Sequence, residues 1–276
     1  MIIDFHVHAF ADKIAERAMG QLTKTLSEAT EYLTQTTENV PCTNGTLADL
    51  IDKMDESSID KGVLLPIATK PSQQTIVNDW AKESESDRII PFGSVHPDAE
   101  DALDELERIK EMGLYGVKLH PDYQDFFVDE ERLFPIYEKC VELELPILFH
   151  AGFDPLSPNV IHAMPDAFAR ILDRLPDITM ILAHFGGMMK WDMVEEYLIG
   201  REGNLYFDIS TVTGYLGDEQ AERMIKRHGS DRILFASDMP WDLPQNIISL
   251  VKRLNLPKED KENILHKNAE RLLKLK

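Results

Sequence analysis

The sequence is poor in cysteine, in cations and in long apolar runs. Its 276 residues contain two cysteines, Cys42 and Cys140, too few for a disulfide framework and consistent with a reducing cytoplasm. The chain carries 29 lysines and arginines against 49 acidic residues, a formal net charge of −20. Such a chain repels phosphate backbones and anionic lipids, so nucleic acid and membranes are poor candidate partners. No apolar run approaches the ~18 residues of a membrane span, and no secretory signal is visible.

The chain instead alternates short apolar runs with longer amphipathic stretches. The runs are rich in Val, Ile, Leu and Phe, which is typical of parallel strands buried on both faces; they cover residues 1–6, 62–67, 89–95, 116–120, 146–150, 178–184, 205–209 and 233–237. The amphipathic stretches predict helices over 47–57, 99–112, 130–143, 166–175, 190–199, 218–228 and 244–254. This alternation favours one α/β barrel of the (β/α)₈ TIM type over two doubly wound halves.

Two segments fall outside the alternation. Residues 9–45 carry no strand signal and are predicted to form loops and helices over the mouth of the barrel. Residues 257–276 are predicted to form a helical tail that packs on its outside. No Gly-x-Gly-x-x-Gly follows the first strand, which argues against a dinucleotide-binding fold. Because no linker is visible, residues 1–276 are predicted to form a single domain.

Titratable side chains recur where the predicted strands end. His6 and His8 close the first strand, and five further residues end or follow later strands: His96, His120, His150, His184 and Asp238. Because the carboxyl ends of parallel barrel strands face one rim, these residues should converge there. The remaining histidines lie in a loop or on helices and are expected to be structural; they are His162, His228 and His266.

The first strand indicates metal chemistry. His6 and His8 share one strand face about 7 Å apart, at ~3.3 Å per residue, so both imidazoles can lean onto one cation. Nitrogen ligands with a carboxylate and an open position are typical of a catalytic Zn²⁺ site, in which bound water is acidified. Asp4, one step deeper on that face, is expected to orient a ligand histidine through a hydrogen bond.

These segments resemble the amidohydrolase superfamily, and within it the amidohydrolase-related branch of metal-dependent hydrolases and decarboxylases. The resemblance rests on "DFHVH", "LPILFHAG", "ITMILAHFGG" and "DRILFASDMPW", and runs nearly end to end through "YGVKLHPDYQ", "NLYFDIS" and "ILHKNAERLL". It implies a distorted TIM barrel with divalent metal at the rim. The metal ligands it implies are His6, His8, His150 and Asp238. It further implies that Asp238 and His184 move protons during catalysis.

Lys118 leaves the number of metal ions open. It shares a strand face with His120, and "VKLHP" resembles the segment of dihydroorotase-like relatives whose lysine is carboxylated and bridges two metals. A lysine inside a barrel is costly unless it is carboxylated, paired with a carboxylate or bound to a substrate anion. One metal per chain is favoured; with two, Lys118 and His184 would join the ligands.

Two reactions compete on such a scaffold. In hydrolysis, a metal-activated water attacks a lactone, amide or ester carbonyl. In non-oxidative decarboxylation, an unsaturated or aromatic acid loses CO₂, which needs a cationic clamp, usually arginine. No arginine directly follows any predicted strand, and the nearest rim cations are Arg17, Lys70 and Lys190, so hydrolysis is favoured. A barrel that binds metal or ligand without turnover is a third alternative, against which the intact ligand set argues.

The substrate is expected to be a small cyclic, aromatic or carboxylated molecule. Phe10 and Trp191 are candidates for an apolar wall, and the residues assigned to substrate contact are His120, Lys118, Trp241 and Phe153. Trp191 and Trp241 are equally suited to anchoring rim loops. The ligand types also accept Mn²⁺, Fe²⁺ or Co²⁺, with Zn²⁺ expected. By resemblance, a homodimer is compatible with this barrel.

Overall fold

A computed structural model describes residues 1–28 and 41–275. It contains eight short strands, all parallel: β1 (Ile3–Val7), β2 (Lys61–Leu64), β3 (Ile89–Pro91), β4 (Val117–Leu119), β5 (Ile147–Phe149), β6 (Met180–Leu182), β7 (Leu205–Asp208) and β8 (Ile233–Leu234). They pair in sequence order as a three-stranded sheet, β1 to β3, and a five-stranded sheet, β4 to β8.

Isolated backbone contacts close the two sheets into a barrel. Between β3 and β4, the Lys118 N–H donates to the Gly93 carbonyl at 2.8 Å. On the other side, the Phe5 N–H donates to the Phe235 carbonyl at 2.8 Å, and Val7 bridges to Met239. The predicted (β/α)₈ barrel is therefore confirmed, with two irregular seams where regular strand pairing is replaced by single contacts.

Helices follow the strands and cover the barrel. They are α1 (Asp12–Glu28), α2 (Leu47–Glu56), α3 (Gln74–Glu83), α4 (Ala102–Glu111), α5 (Pro121–Gln124), α6 (Phe134–Glu142), α7 (Pro165–Arg174), α8 (Trp191–Tyr197), α9 (Asp218–His228), α10 (Pro244–Arg253), α11 (Lys258–Glu262) and α12 (Asn268–Leu272), with a π-helical segment, Asn263–Lys267, between the last two. The seven predicted helices all occur within a few residues of their expected bounds. Helix α3 was not predicted. None of the helices in the described ranges combines the length and apolar character that crossing a bilayer requires.

The C-terminal tail is helical, as predicted, and packs against the start of β8. The Asn268 side-chain amide donates to the carbonyls of Ser230 and Ile233 at 2.7 Å each, which ties the tail to the start of β8. Ala269 and Leu273 belong to the same buried cluster as Phe5 inside the barrel. The tail therefore covers apolar residues at the amino-terminal end of the barrel, which water would otherwise reach.

The predicted insertion after β1 is described in part. Helix α1 lies within it and contributes to the rim, in agreement with the prediction, whereas residues 29–40 lie outside the described residues. The pairing of β1 with β2 shifts register between Asp4 and Val7, so the strict two-residue alternation assumed for β1 is interrupted there.

Candidate metal centre and active site

The carboxyl ends of the strands open into a cavity of about 1350 Å³. All nine residues assigned to catalysis, metal binding or substrate contact line it: His6, His8, Lys118, His120, His150, Phe153, His184, Asp238 and Trp241. Phe10 lines it too. Trp191 instead anchors a rim loop, since its indole N–H donates to the His184 carbonyl at 3.0 Å. The cavity lining does not include His96 among the described residues.

Three ligand atoms converge at the end of β1. The Nε2 atoms of His6 and His8 lie 3.0 Å apart, and Asp238 Oδ1 lies 3.3 Å from the first and 3.2 Å from the second. The two rings meet edge to face at 72°, and the three short distances place both Nε2 atoms and the Asp238 oxygen around a common centre. One ligand atom of each of the three side chains lies within 4.8 Å of the other two, close enough to hold one metal ion.

The outer nitrogens of the two imidazoles fix their tautomers. His6 Nδ1 lies 2.8 Å from Asp208 Oδ2, and His8 Nδ1 lies 2.8 Å from the Leu65 carbonyl. Because both partners can only accept, each Nδ1 carries a hydrogen, and a ring with that single hydrogen presents a lone pair at Nε2. Burial, with the nearby Lys118 charge, holds the pKa of His6 well below its usual value, so its ring is neutral. Three lone pairs thus face one another with no hydrogen between them, which fits a bound cation.

Asp208, which the sequence analysis did not single out, is the carboxylate that orients His6. It ends β7, and its Oδ1 accepts hydrogen bonds from the backbone of His184 and Ser210 at 3.1 Å each and from the Ser210 hydroxyl at 2.6 Å. The only sequence signal was an acidic residue at the end of an apolar strand. Asp4 does not have the expected role: it accepts from the Ser237 backbone at 2.9 Å and hydroxyl at 2.5 Å, and from the His6 backbone. Burial raises the pKa of Asp4 to about 7.

His150 and His184 form a second imidazole pair beside this cluster. His184 Nε2 lies 3.1 Å from His150 Nδ1. The Ser210 hydroxyl gives its hydrogen to Asp208 and accepts one from His184 Nδ1 at 3.0 Å, so His184 also presents a lone pair at Nε2. His150 Nε2 and Asp122 Oδ2 lie 3.8 Å apart, and both are buried without a hydrogen-bond partner. A hydrogen on His150 Nε2 would face Asp122 and leave the Nδ1 lone pair toward His184.

A second group of metal-binding residue types has a different geometry. His120, His150 and Asp154 each have one potential ligand atom, a ring nitrogen or a carboxylate oxygen, within 4.8 Å of the other two. However, the two rings are stacked at 10° with centroids 4.3 Å apart, so their lone pairs run parallel instead of converging. Tyr123 stacks on the other face of His120 at 3.6 Å, and His120 Nε2 lies 3.3 Å from Asp154. This arrangement suits hydrogen bonding and ring stacking better than metal coordination.

Lys118 projects from β4 between the two groups. Its Nζ lies 3.5 Å from His6 Nε2, and no carboxylate oxygen of residues 1–28 or 41–275 lies within 4 Å of it. The residue is 1% exposed. Burial lowers the pKa of Lys118 to about 8, against the opposing pull of more distant carboxylates such as Asp238. Of the three solutions the sequence analysis considered for this lysine, pairing with a protein carboxylate is not observed in the described chain.

The outer part of the cavity is apolar. One stripe of α1, together with residues of α2 and α3, lines it: Ile14, Ala18, Leu22, Leu26, Leu47, Ile51, Ile76, Val77 and Trp80. Phe153 and Trp241 line the same cavity. None of the rim cations considered from sequence, namely Arg17, Lys70 and Lys190, is part of the lining.

Two related proteins are both named as decarboxylases. The chain is 24% identical over 223 residues to 2-amino-3-carboxymuconate-6-semialdehyde decarboxylase of Dictyostelium discoideum; the match covers 68% of this chain and spans 62% of the length of that protein. It is 24% identical over 221 residues to gamma-resorcylate decarboxylase of Polaromonas sp. (strain JS666), covering 64% of this chain and 68% of that protein. The expectation of hydrolysis is therefore wrong, because the relatives favour the alternative reaction. The lack of an arginine after the strands was not a sound reason to reject it.

A solved structure shares the fold. A dihydroxybenzoic acid decarboxylase from Polaromonas sp. JS666, with bound manganese and the inhibitor 2-nitroresorcinol, matches with a TM-score of 0.71 at 19% identity, covering 99% of this chain and 97% of that one. Its metal is manganese, so the expectation of zinc has no support there. The Amidohydrolase family matches residues 3–275, nearly the whole length of the sequence. The chain therefore belongs to the amidohydrolase family and has the TIM-barrel fold.

Proposed function

We propose that this enzyme is a metal-dependent, non-oxidative decarboxylase of a small aromatic or unsaturated carboxylic acid. The observation that carries the proposal is the convergence of three lone pairs, on His6, His8 and Asp238, at the floor of a cavity with apolar walls. The two decarboxylases among the related proteins support the reaction class.

The proposed metal ligands are His6, His8, Asp238 and, as the fourth, His150. The first three already point at one centre, and His150 lines the same cavity with its Nδ1 directed at His184. We assign one Mn²⁺ per chain in preference to Zn²⁺, because imidazole and carboxylate ligands accept either ion and the similar structure holds manganese. When bound, the ion would act as a Lewis acid that binds and polarises oxygen atoms of the substrate.

The reaction consumes one proton per turnover: the carboxylate carbon leaves as CO₂, the electron pair of the broken bond stays on the ring or alkene carbon, and that carbon takes a proton. We assign proton transfer to His184 Nε2, which would take a proton from water and pass it to that carbon, and to the Asp238 carboxylate. His184 is suited to it because Ser210 holds its Nδ1, which leaves Nε2 facing the cavity. Phe153 and Trp241 would hold the body of the substrate, and His120, stacked on Tyr123, would pack against it.

The test measures CO₂ release from the Mn²⁺-loaded enzyme. Gamma-resorcylate, other hydroxybenzoates and unsaturated dicarboxylic acids form the panel, and gamma-resorcylate decarboxylase of Polaromonas is the positive control. CO₂ released with matching loss of substrate, and abolished by a chelator, supports the proposal. No CO₂ from the panel at full metal occupancy overturns it.

A further inference from the structure

Lys118 is a buried cation in the interior of the barrel. Its position is fixed, since the backbone N–H donates to Gly93 and the carbonyl accepts from the Ser94 hydroxyl at 2.9 Å. Val117 and Leu119, its neighbours along β4, pack in the outer apolar layer, so the lysine side chain faces the barrel interior. The ammonium group is thus built into the floor of the cavity and is not a mobile surface cation.

The Lys118 ammonium has no carboxylate oxygen within 4 Å in the described chain. Its one hydrogen-bond contact in the described chain is His6 Nε2 at 3.5 Å, and that nitrogen belongs to the convergent cluster. Once the His6 lone pair is directed at a cation, Lys118 has no acceptor left, and two cations lie side by side in a buried site. Two buried positive charges side by side are strongly unfavourable, and an anion bound next to both would compensate them.

We propose that Lys118 binds the carboxylate of the substrate, an inference that rests on the proposed decarboxylase function. Among the described residues, the cavity lining contains two cationic side chains, Lys118 and Lys13. Lys13 is exposed on α1. Lys118 therefore supplies the cationic clamp that the sequence analysis looked for in an arginine. As a point charge it binds one carboxylate group, with the apolar body of the ligand directed toward Phe153 and Trp241.

The test compares a charged probe with its neutral analogue. Titration calorimetry measures benzoate and benzamide binding to metal-free and Mn²⁺-loaded protein, for the wild type, Lys118→Met, Lys118→Arg and Lys13→Met. The expected result is that Lys118→Met weakens benzoate binding about 10- to 100-fold without changing benzamide binding, because a charge-assisted hydrogen bond is lost. Lys13→Met, the same chemical change elsewhere in the cavity, should bind both as the wild type does, and Lys118→Arg should retain more benzoate affinity than Lys118→Met.

Three results would overturn the inference. The first is an unchanged benzoate affinity in Lys118→Met, and the second is no saturable benzoate binding by the wild type. The third is an added mass of CO₂ on the intact wild-type protein in native mass spectrometry that is absent from Lys118→Met. Removal of an unpaired charge should also raise the melting temperature of metal-free Lys118→Met; a lowered one would mean that the ammonium is paired. Benzoate binding that depends on Lys118 without CO₂ release from any acid would refute the proposed reaction alone. CO₂ release with an unchanged KM in Lys118→Met would refute the role of Lys118 alone.

Discussion

Replacement of Asp208 by asparagine tests the metal centre through a residue that does not face the metal. Asp208 Oδ1 accepts three hydrogen bonds, two from backbone N–H groups, whereas Oδ2 accepts one from His6 Nδ1 at 2.8 Å. An asparagine that keeps its oxygen toward the three donors places its NH₂ group against His6 Nδ1. His6 must then hold its hydrogen on Nε2, which removes one of the three convergent lone pairs.

The expected effect of Asp208→Asn is a weaker affinity for the metal ion. Loss of the carboxylate that orients a ligand histidine typically costs 10- to 100-fold in metal affinity, or about 1.4 to 2.7 kcal/mol. The fold should survive, because three of the four hydrogen bonds of Asp208 can be kept by the amide oxygen. Competition with a fluorescent chelator measures the Mn²⁺ dissociation constant of each variant.

Asp154→Asn is the matched control for this experiment. It makes the same chemical change at a buried carboxylate of the same cavity that contacts His120 instead of His6. Its Mn²⁺ affinity should equal that of the wild type. An Asp208→Asn protein that binds Mn²⁺ as tightly as the wild type refutes the tautomer argument, and a loss confined to Asp154→Asn would move the metal to the stacked group.

Three further predictions follow from other contacts. Asp238→Asn should abolish CO₂ release while the circular dichroism spectrum stays unchanged, and a variant that remains active contradicts its assigned role. Chelation should lower the melting temperature, because the ion holds three mutually repelling lone pairs together. A free metal concentration of 100 times the dissociation constant stabilises the fold by about 2.7 kcal/mol. An unchanged melting temperature contradicts the site. His228 should make the fold acid-sensitive: burial lowers its pKa from 6.5 to about 4, so its contribution is complete above pH 6.5 and is lost as the pH falls toward 4, by up to about 3 kcal/mol. Urea unfolding at pH 7 and pH 5 should show this loss in the wild type and much less in His228→Gln.

Two hydrogen bonds of His228 are the physical cause of the predicted acid sensitivity of the fold. Its Nε2 donates to the Leu205 carbonyl at 3.0 Å, and its Nδ1 accepts from the Gly200 N–H at 3.2 Å. Only the neutral ring can make both bonds, since protonation would place a hydrogen on Nδ1 against another donor. A wild-type pH dependence retained in His228→Gln would show that another group titrates.

The wrong expectation of hydrolysis has a physical origin. A cation for the substrate carboxylate was expected among the residues that follow strands, since loops at the carboxyl rim carry the chemistry of this fold. Lys118 instead lies within a strand, and only the packed barrel shows that it faces the cavity without a carboxylate partner. The presence of an interior cation could be read from "VKLHP", but not its lack of a counter-ion.

The number and order of the strands could be predicted from the sequence more completely than their exact bounds. The alternation of apolar runs and helices predicted all eight strands, and α9 begins and ends where the pattern placed it. The predicted strands run longer than the paired ones; 178–184 contracts to Met180–Leu182, because His184 and Phe185 adopt left-handed backbone angles that leave the ladder. Helix α3 was not predicted, and its lack of a side-chain cap does not explain this, because predicted helices such as α9 and α10 lack one as well.

By itself, the sequence determined that histidines and an aspartate meet at one rim, because parallel strands of a barrel end on the same side. Only the tertiary structure shows which of them point their ligand atoms at one centre, the proposed metal site. His6 takes its tautomer from Asp208, 202 residues away, and the edge-to-face rings of His6 and His8 can converge on an ion where the stacked rings of His120 and His150 cannot. Ring orientation and tautomer depend on side-chain rotation and on neighbours brought together by barrel closure, and the spacing of residues along the chain encodes neither.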